Sequence, residues 1–293
     1  MELVVAWIIS TTAIAVMMLV TWGFVLAGGD GGVQLGGFTL YGLSAVLVFS
    51  LQWIGFIQSW LQRSERLFDL MGSITAIVVT VTAIVLAGRF DIRSLMLALV
   101  ILVWAGRLGP FLYLRIRKAG EDRRFRHIKR SFPTLLMTWT LQGLWVFVSL
   151  SCALAAITAS VSIDLGPSFF VGLGLWIVGF ALEVIADTQK TRFRAQPENQ
   201  RRFITSGLWA WSRHPNYFGE IVLWCGVAVM AYPALVGMQV YTLVAPLLIV
   251  LLLTAISGAR LLEARAERQW GEDPVYQAYK RSTPLLMLWP PRR

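Results

Sequence analysis

Residues Leu135–Ala156, LLMTWTLQGLWVFVSLSCALAA, run for 22 positions without one charged side chain. A helix rising 1.5 Å per residue needs roughly 20 apolar residues to cross about 30 Å of hydrocarbon, so this stretch is long enough to span a bilayer. It is one of several such runs. Hydrophobic residues make up 57% of the 293 residues and charged residues only 14%, against about 25% charged in a soluble domain. The chain reads as all-α and polytopic, an integral membrane protein.

Working outward, eight helical spans are predicted, at Val4–Leu26, Leu40–Trp60, Leu70–Ala87, Leu95–Leu114, Leu135–Ala156, Phe169–Ala186, Tyr217–Ala231 and Val240–Ile256. The seventh is short and Gly72 interrupts the third, so the expectation is seven to eight crossings. The first span is too long for a secretory signal and lacks a basic start and a cleavage site. Trp7, Trp22, Trp53, Trp60 and Trp289 fall where aromatic rings favour the membrane interface.

Charge placement tests that topology. Segments 61–68, 115–130, 188–216 and 258–293 hold 2, 8, 6 and 7 Lys/Arg, and the others are Arg89, Arg93 and Arg107. With eight spans all four basic segments share one side, which the positive-inside rule makes the cytoplasm, with both termini there. The net charge of +10 therefore reports topology and contact with anionic membrane lipids rather than nucleic acid. Gly28–Gly37 lacks the Lys-Ser/Thr and the strand–helix setting of a phosphate loop and reads as a turn. Cys152 and Cys225 lie in apolar runs as packing residues, and no metal cluster is visible.

Polar side chains inside such spans are costly and mark cavities or partners. Asp69 opens the third span, Arg107 sits within the fourth and Gln142 within the fifth. Glu183 and Asp187 share a face of the sixth, followed by Lys190 and Arg194. The stretch Gly207–Glu220, GLWAWSRHPNYFGE, holds Arg213, His214, Asn216 and Glu220; Arg260 and Glu263 follow the eighth span. Each residue has a bland reading: an i, i+3 pair for Asp187 with Lys190, a snorkelling Arg107, an interhelical hydrogen bond for Gln142. Together they describe a cationic vestibule on the cytoplasmic side, opening on an apolar chamber. Arginine suits phosphate and a chamber within lipid suits a lipophilic substrate, so the pattern points to a phosphate-bearing soluble cofactor.

The segments ADTQKTRFR at 186–194, RRFITSGLWAWSRHPNYFGE at 201–220 and RLLEARAERQWGEDPVYQAYKR at 260–281 resemble the steroid 5α-reductase-like membrane family, closest to its bacterial branch. The resemblance covers roughly residues 60–290. It implies N-terminal spans over 1–60, a membrane catalytic domain over 61–293 and a bacterial inner-membrane location. It also implies NADPH as cofactor and hydride transfer to the C=C bond of an enone such as a 3-oxo-Δ4-steroid. No obligate protein partner is evident. Carried over residue by residue, the resemblance assigns the cofactor to Arg107, Arg115, Lys118, Gln142, Asp187, Arg194, Arg202, Arg213, His214, Asn216, Glu220 and Arg260.

Two departures touch the substrate end. Where the steroid enzymes have Gln-Glu and a later Tyr, this chain has Phe68-Asp69 and Trp104, so Asp69 and Trp104 stand as the catalytic pair. The family's C-terminal His and Tyr have no match; the tail offers Glu263, Arg265 and Glu267. The Arg-His-Pro-x-Tyr segment is shared with isoprenylcysteine and phospholipid methyltransferases, which use S-adenosylmethionine, so a membrane methyltransferase is the alternative reading.

Overall fold

The computed structural model describes residues 2–122, 125–256 and 258–290. Arg123 and Arg124 of the basic run, and Arg292 and Arg293 at the terminus, lie outside the described residues. Among the described residues eight helices are long and apolar enough to cross a membrane, beginning with Leu3–Gly28 and ending with Gly237–Trp270. The fold is all-α, and the protein is a polytopic integral membrane protein. The chain divides into two compact units, 1–169 with 230–245 and 170–229 with 246–293.

The first unit opens with α1 (Glu2–Gly28) and a hairpin of β1 (Gln34–Leu35) and β2 (Phe38–Thr39). Gly36 and Gly37 turn that hairpin with φ of 59° and 84°, a backbone region that glycine enters without a Cβ clash. Thr39 then caps α2 (Leu40–Gln62) by accepting the Gly42 N–H. Next come α3 (Phe68–Ala87), α4 (Ile92–Ala119), the single turn α5 (Phe125–Ile128) and α6 (Phe132–Thr158). The span quoted at the outset lies within α6, the most buried of the eight. It packs against α1, α2, α3 and α4. Its Gly143, Ser151, Cys152, Ala153 and Ala155 are buried, and such small side chains let neighbouring membrane helices come close.

Gly72 does not interrupt the third span. It lies inside the continuous α3, where an added Cβ would meet the Gln142 Nε2 at 2.6 Å. The glycine makes room for a polar neighbour. Arg93, in the first turn of α4, is buried, and its guanidinium donates to the carbonyls of Met230 at 2.6 Å and Asp164 at 2.8 Å. A buried guanidinium is tolerated when its donors are satisfied in this way.

The second unit contains α7 (Pro167–Ala195), α8 (Pro215–Ala231), α9 (Ala245–Leu251), α10 (Ala259–Trp270) and α11 (Pro274–Ser282). Residues 167–169 at the start of α7, the Met230–Ala231 end of α8 and Ala245 at the start of α9 belong to the first unit. Between α8 and α9 run the 3₁₀ turns Tyr232–Ala234 and Gly237–Val244, and π-helical residues Leu252–Ile256 follow α9. The sixth span extends beyond its predicted end at Ala186, so that Asp187, Lys190 and Arg194 are all helical.

Candidate functional site

In the second unit, α7 and α8 meet backbone to backbone. A Cβ at Gly219 would lie 2.6 Å from the Gly179 carbonyl oxygen and 2.7 Å from the Glu183 nitrogen. One at Gly226 would lie 2.6 Å from the Gly172 oxygen and from the Trp176 nitrogen. Glycines seven apart on each helix return to one face every two turns, and their bare backbones permit the approach. That contact brings the polar residues of both helices together. The Asn216 Nδ2 donates to the Asp187 Oδ1 at 3.4 Å, and Glu183, Asp187 and Glu220 are all buried.

The 207–214 stretch then folds back on α7. Gly207 has a φ of 62° and its Cα faces the Gln189 amide, whose Oε1 accepts the Leu208 N–H at 3.0 Å. The Trp209 indole donates to the Ala186 carbonyl at 3.0 Å, and the Lys190 ammonium stands 4.2 Å from the Trp209 ring centroid. Such a cation over an indole is attracted by the ring's negative face.

From the other side the C-terminal segment clasps the same stretch. The Arg213 and His214 N–H groups donate to the Pro284 and Leu285 carbonyls at 2.9 and 3.1 Å, and the Trp289 N–H donates to the Trp211 carbonyl at 3.0 Å. The Tyr279 hydroxyl donates to the Trp209 carbonyl at 2.6 Å. Glu263 of α10 forms an ion pair with Arg213, and its Oε1 lies 2.9 Å from the His214 Nε2. His214 is buried and stacks on Tyr217 with ring centroids 5.4 Å apart. Burial pushes the imidazole pKa below its ordinary value, against the pull of Glu263.

Arg194, Arg202 and Arg260 are exposed. Arg202 follows Arg201, whose carbonyl accepts from the Trp270 indole at 2.8 Å. It precedes Phe203, whose ring lies 5.5, 5.2 and 5.7 Å from Trp270, Tyr276 and Tyr279. Aromatic packing on α10 and α11 thus fixes the backbone of the arginine-bearing loop while leaving the Arg202 side chain exposed.

In the first unit, the Gln142 Nε2 donates to the Phe68 carbonyl at 2.8 Å, immediately before Asp69. Asp69 is half-buried in the first turn of α3. About two turns further along α3, the Gln52 Nε2 donates to the Thr75 hydroxyl at 2.8 Å. Arg107 lies over the Phe111 ring at 4.9 Å, with Arg115 at 6.0 Å from the same ring; Arg115 and Lys118 are exposed.

Asp69 and Trp104 do not come to one oxygen. Gly109 of α4 packs on Ser73 of the antiparallel α3, where an added Cβ would meet the Ser73 Cβ at 2.6 Å. From that level Trp104 lies five residues toward one end and Asp69 four toward the other, about 13 Å apart along the axes. Side chains lean toward their helix N-termini, which here carries the two further apart. Trp104 is instead a buried wall residue, tilted against Trp145 at 5.8 Å.

The family described as "Protein of unknown function (DUF1295)" matches residues 55–283. The chain belongs to that family. It is the steroid 5α-reductase-like family, and its matched stretch includes Asp69, Gln142, Asp187, Arg202, His214, Asn216, Glu220 and Glu263. Among curated relatives the chain is similar to 3-oxo-5-alpha-steroid 4-dehydrogenase 1 of Mus musculus, 33% identical over 66 residues, which is 22% of this chain and 26% of that protein. The Homo sapiens and Bos taurus proteins of the same name are each 32% identical over 66 residues, again 22% of this chain and 26% of theirs. The chain thus aligns with about a quarter of the length of these relatives. No solved structure matches it.

Three features of the site are not local in sequence or have only a weak local signal. Glu263 meets Arg213 and His214, about fifty positions away. Gln52 carried the same signal as Gln142, an amide in mid-span. The Gly172/Gly179 and Gly219/Gly226 pairs carried a small-residue repeat of seven.

Proposed function

We propose that the chain is an NADPH-dependent membrane reductase that saturates the C=C bond of an enone in a lipophilic, 3-oxo-Δ4-steroid-like substrate. The observation that carries the reading is the Asn216–Asp187 hydrogen bond at the α7–α8 contact. It joins two motifs that the family resemblance assigns separately to one nucleotide cofactor.

The residues present suit that group. Arg202 is exposed and makes no ion pair among the described residues, so it is available to phosphate, a role guanidinium fills by bidentate hydrogen bonding. The Gln142 Oε1 is buried and accepts no hydrogen bond among the described residues, which suits a carboxamide or hydroxyl donor. Asp187, Asn216 and Glu220 offer acceptors for ribose hydroxyls and an amide, with Arg194 and Arg260 as further cations. Arg107, Arg115 and Lys118 supply positive charge for the adenosine phosphate.

When bound, the nicotinamide would supply the hydride that the β-carbon of the enone needs. Asp69, in its protonated form, would donate a hydrogen bond to the substrate carbonyl oxygen as enolate charge builds there, and water would supply the proton that completes the α-carbon. A donor aimed at developing charge is worth about 10²–10³ in rate. Trp104 shapes the apolar wall and takes no proton. A methyltransferase would use an adenosyl cofactor without phosphate, which leaves Arg202 without a purpose.

Cofactor binding to the purified full chain in detergent tests the reading. NADPH raises the unfolding temperature and S-adenosylmethionine does not, since a ligand that binds only the native state stabilises it. Stabilisation by S-adenosylmethionine alone overturns the proposal.

A further inference from the structure

We propose that Glu263 is the positioning residue of the Arg213–His214 turn: its single carboxylate neutralises Arg213 and holds His214 through Nε2, so that phosphate recognition falls to Arg202 and not to Arg213. Only the clause about phosphate rests on the reductase reading.

The geometry is that of one acceptor serving two donors. The Arg213 side chain is mostly buried, and its guanidinium is committed to the Glu263 Oε2. The other oxygen, Oε1, meets the His214 Nε2 at 2.9 Å. A carboxylate paired with arginine only accepts, so Nε2 carries the proton and donates. The groups facing the His214 ring are Glu263 from α10, Lys190 from α7, the adjacent Arg213 and the stacked Tyr217 from α8. Two cations and burial oppose a charged imidazolium; Glu263 alone favours it.

Glu263 is itself held in place. α10 is zipped to α11 by the Lys280–Glu267 ion pair at 2.6 Å and by the Gln277 amide donating to the Gly271 carbonyl at 2.8 Å. The tail after α11 then returns along residues 211–214. A charge from the far end of the chain thereby cancels the one arginine of the turn. The exposed Arg202, held by its aromatic-packed loop, keeps its charge.

The chain has only two histidines, which makes the test direct. Full-length protein carrying His127→Gln and labelled at histidine is titrated by NMR in detergent. His214 should titrate below the ordinary histidine value, and Glu263→Gln should lower its midpoint further by about one pH unit, the effect of removing an adjacent opposite charge. Glu263→Asp should restore most of that shift. An unchanged midpoint in Glu263→Gln overturns the positioning role. The double variant Arg213→Gln/Glu263→Gln removes both charges, guards against misfolding from a lone buried cation, and should titrate between the two.

The phosphate clause has its own arm. Arg202→Gln should weaken NADPH binding tenfold or more, and the double variant should weaken it less. A tenfold loss in the double variant with none in Arg202→Gln overturns that clause. Failure of the wild type to bind NADPH sinks the reductase reading and this clause with it, while the histidine titration still decides the positioning role.

Discussion

Replacing Gly219 by alanine inserts one methyl group where two helix backbones touch. The new Cβ would sit 2.6 Å from the Gly179 oxygen and 2.7 Å from the Glu183 nitrogen, against the 3.4 Å at which ordinary contact begins. Neither neighbour is a flexible side chain, so the helices must part by about 0.7 Å, or the strain remains. Overpacking of this kind costs about 1–3 kcal/mol, which at roughly 2–3 °C per kcal/mol lowers the unfolding temperature by about 2–9 °C. The same displacement lengthens the Asn216–Asp187 hydrogen bond, already 3.4 Å, beyond the range at which it counts as one. NADPH affinity should therefore fall about tenfold, the equivalent of about 1.4 kcal/mol. Gly174→Ala on the facing helix α7 is the control, because nothing lies within 4 Å of its added Cβ. Both variants are assayed by thermal unfolding in detergent and by nucleotide titration. Equal unfolding temperatures for Gly219→Ala and Gly174→Ala would refute the argument that backbone contact at Gly219 builds the site.

Further expectations follow from the charged groups. Arg202→Ala should raise the NADPH dissociation constant about 10–100-fold, the loss of a charge-assisted hydrogen bond of about 1.5–3 kcal/mol, with binding of a lipophilic enone unchanged. Equal losses for both ligands would mark the arginine as structural. Asp69→Asn should lower turnover about 10²-fold with NADPH affinity intact; full turnover would remove Asp69 from the chemistry. For His214 the folded-state pKa lies below its unfolded value, which is about 6.5. Its contribution to stability is complete above about pH 6.5 and is lost as the pH falls through the lower folded value, because the unfolded chain binds the proton first. The stability of His214→Asn should fall less over that window than that of wild type. An equal fall would show that other groups set the slope.

Much of the fold was legible before any coordinate. Uncharged runs of membrane length and the clustering of arginine and lysine on alternate connections define eight crossings, because hydrocarbon admits only backbones that satisfy themselves within a helix. Asp69, Arg107, Gln142 and Glu183 were legible for the same reason: each is conspicuous in or at the end of an apolar span. Their partners were not. That Gln142 holds the Phe68 carbonyl, that Gly72 is a clearance and not a break, and that Arg93 is buried against the Met230 and Asp164 carbonyls depend on which elements are neighbours.

The sequence by itself determined the solvent of this protein, a count of seven to eight crossings, and the positions where a polar group enters the membrane, since each follows from local composition and the cost of burying charge. It also carried the motifs that place the chain in its family. Only the tertiary structure decided pairings. It set Trp104 and Asp69 at different levels of α3 and α4, brought Asn216 onto Asp187 through facing glycines, and spent Arg213 on Glu263. Helical periodicity fixes which face a residue occupies; the register between helices, which decides what that face meets, is set by packing between elements far apart in the chain.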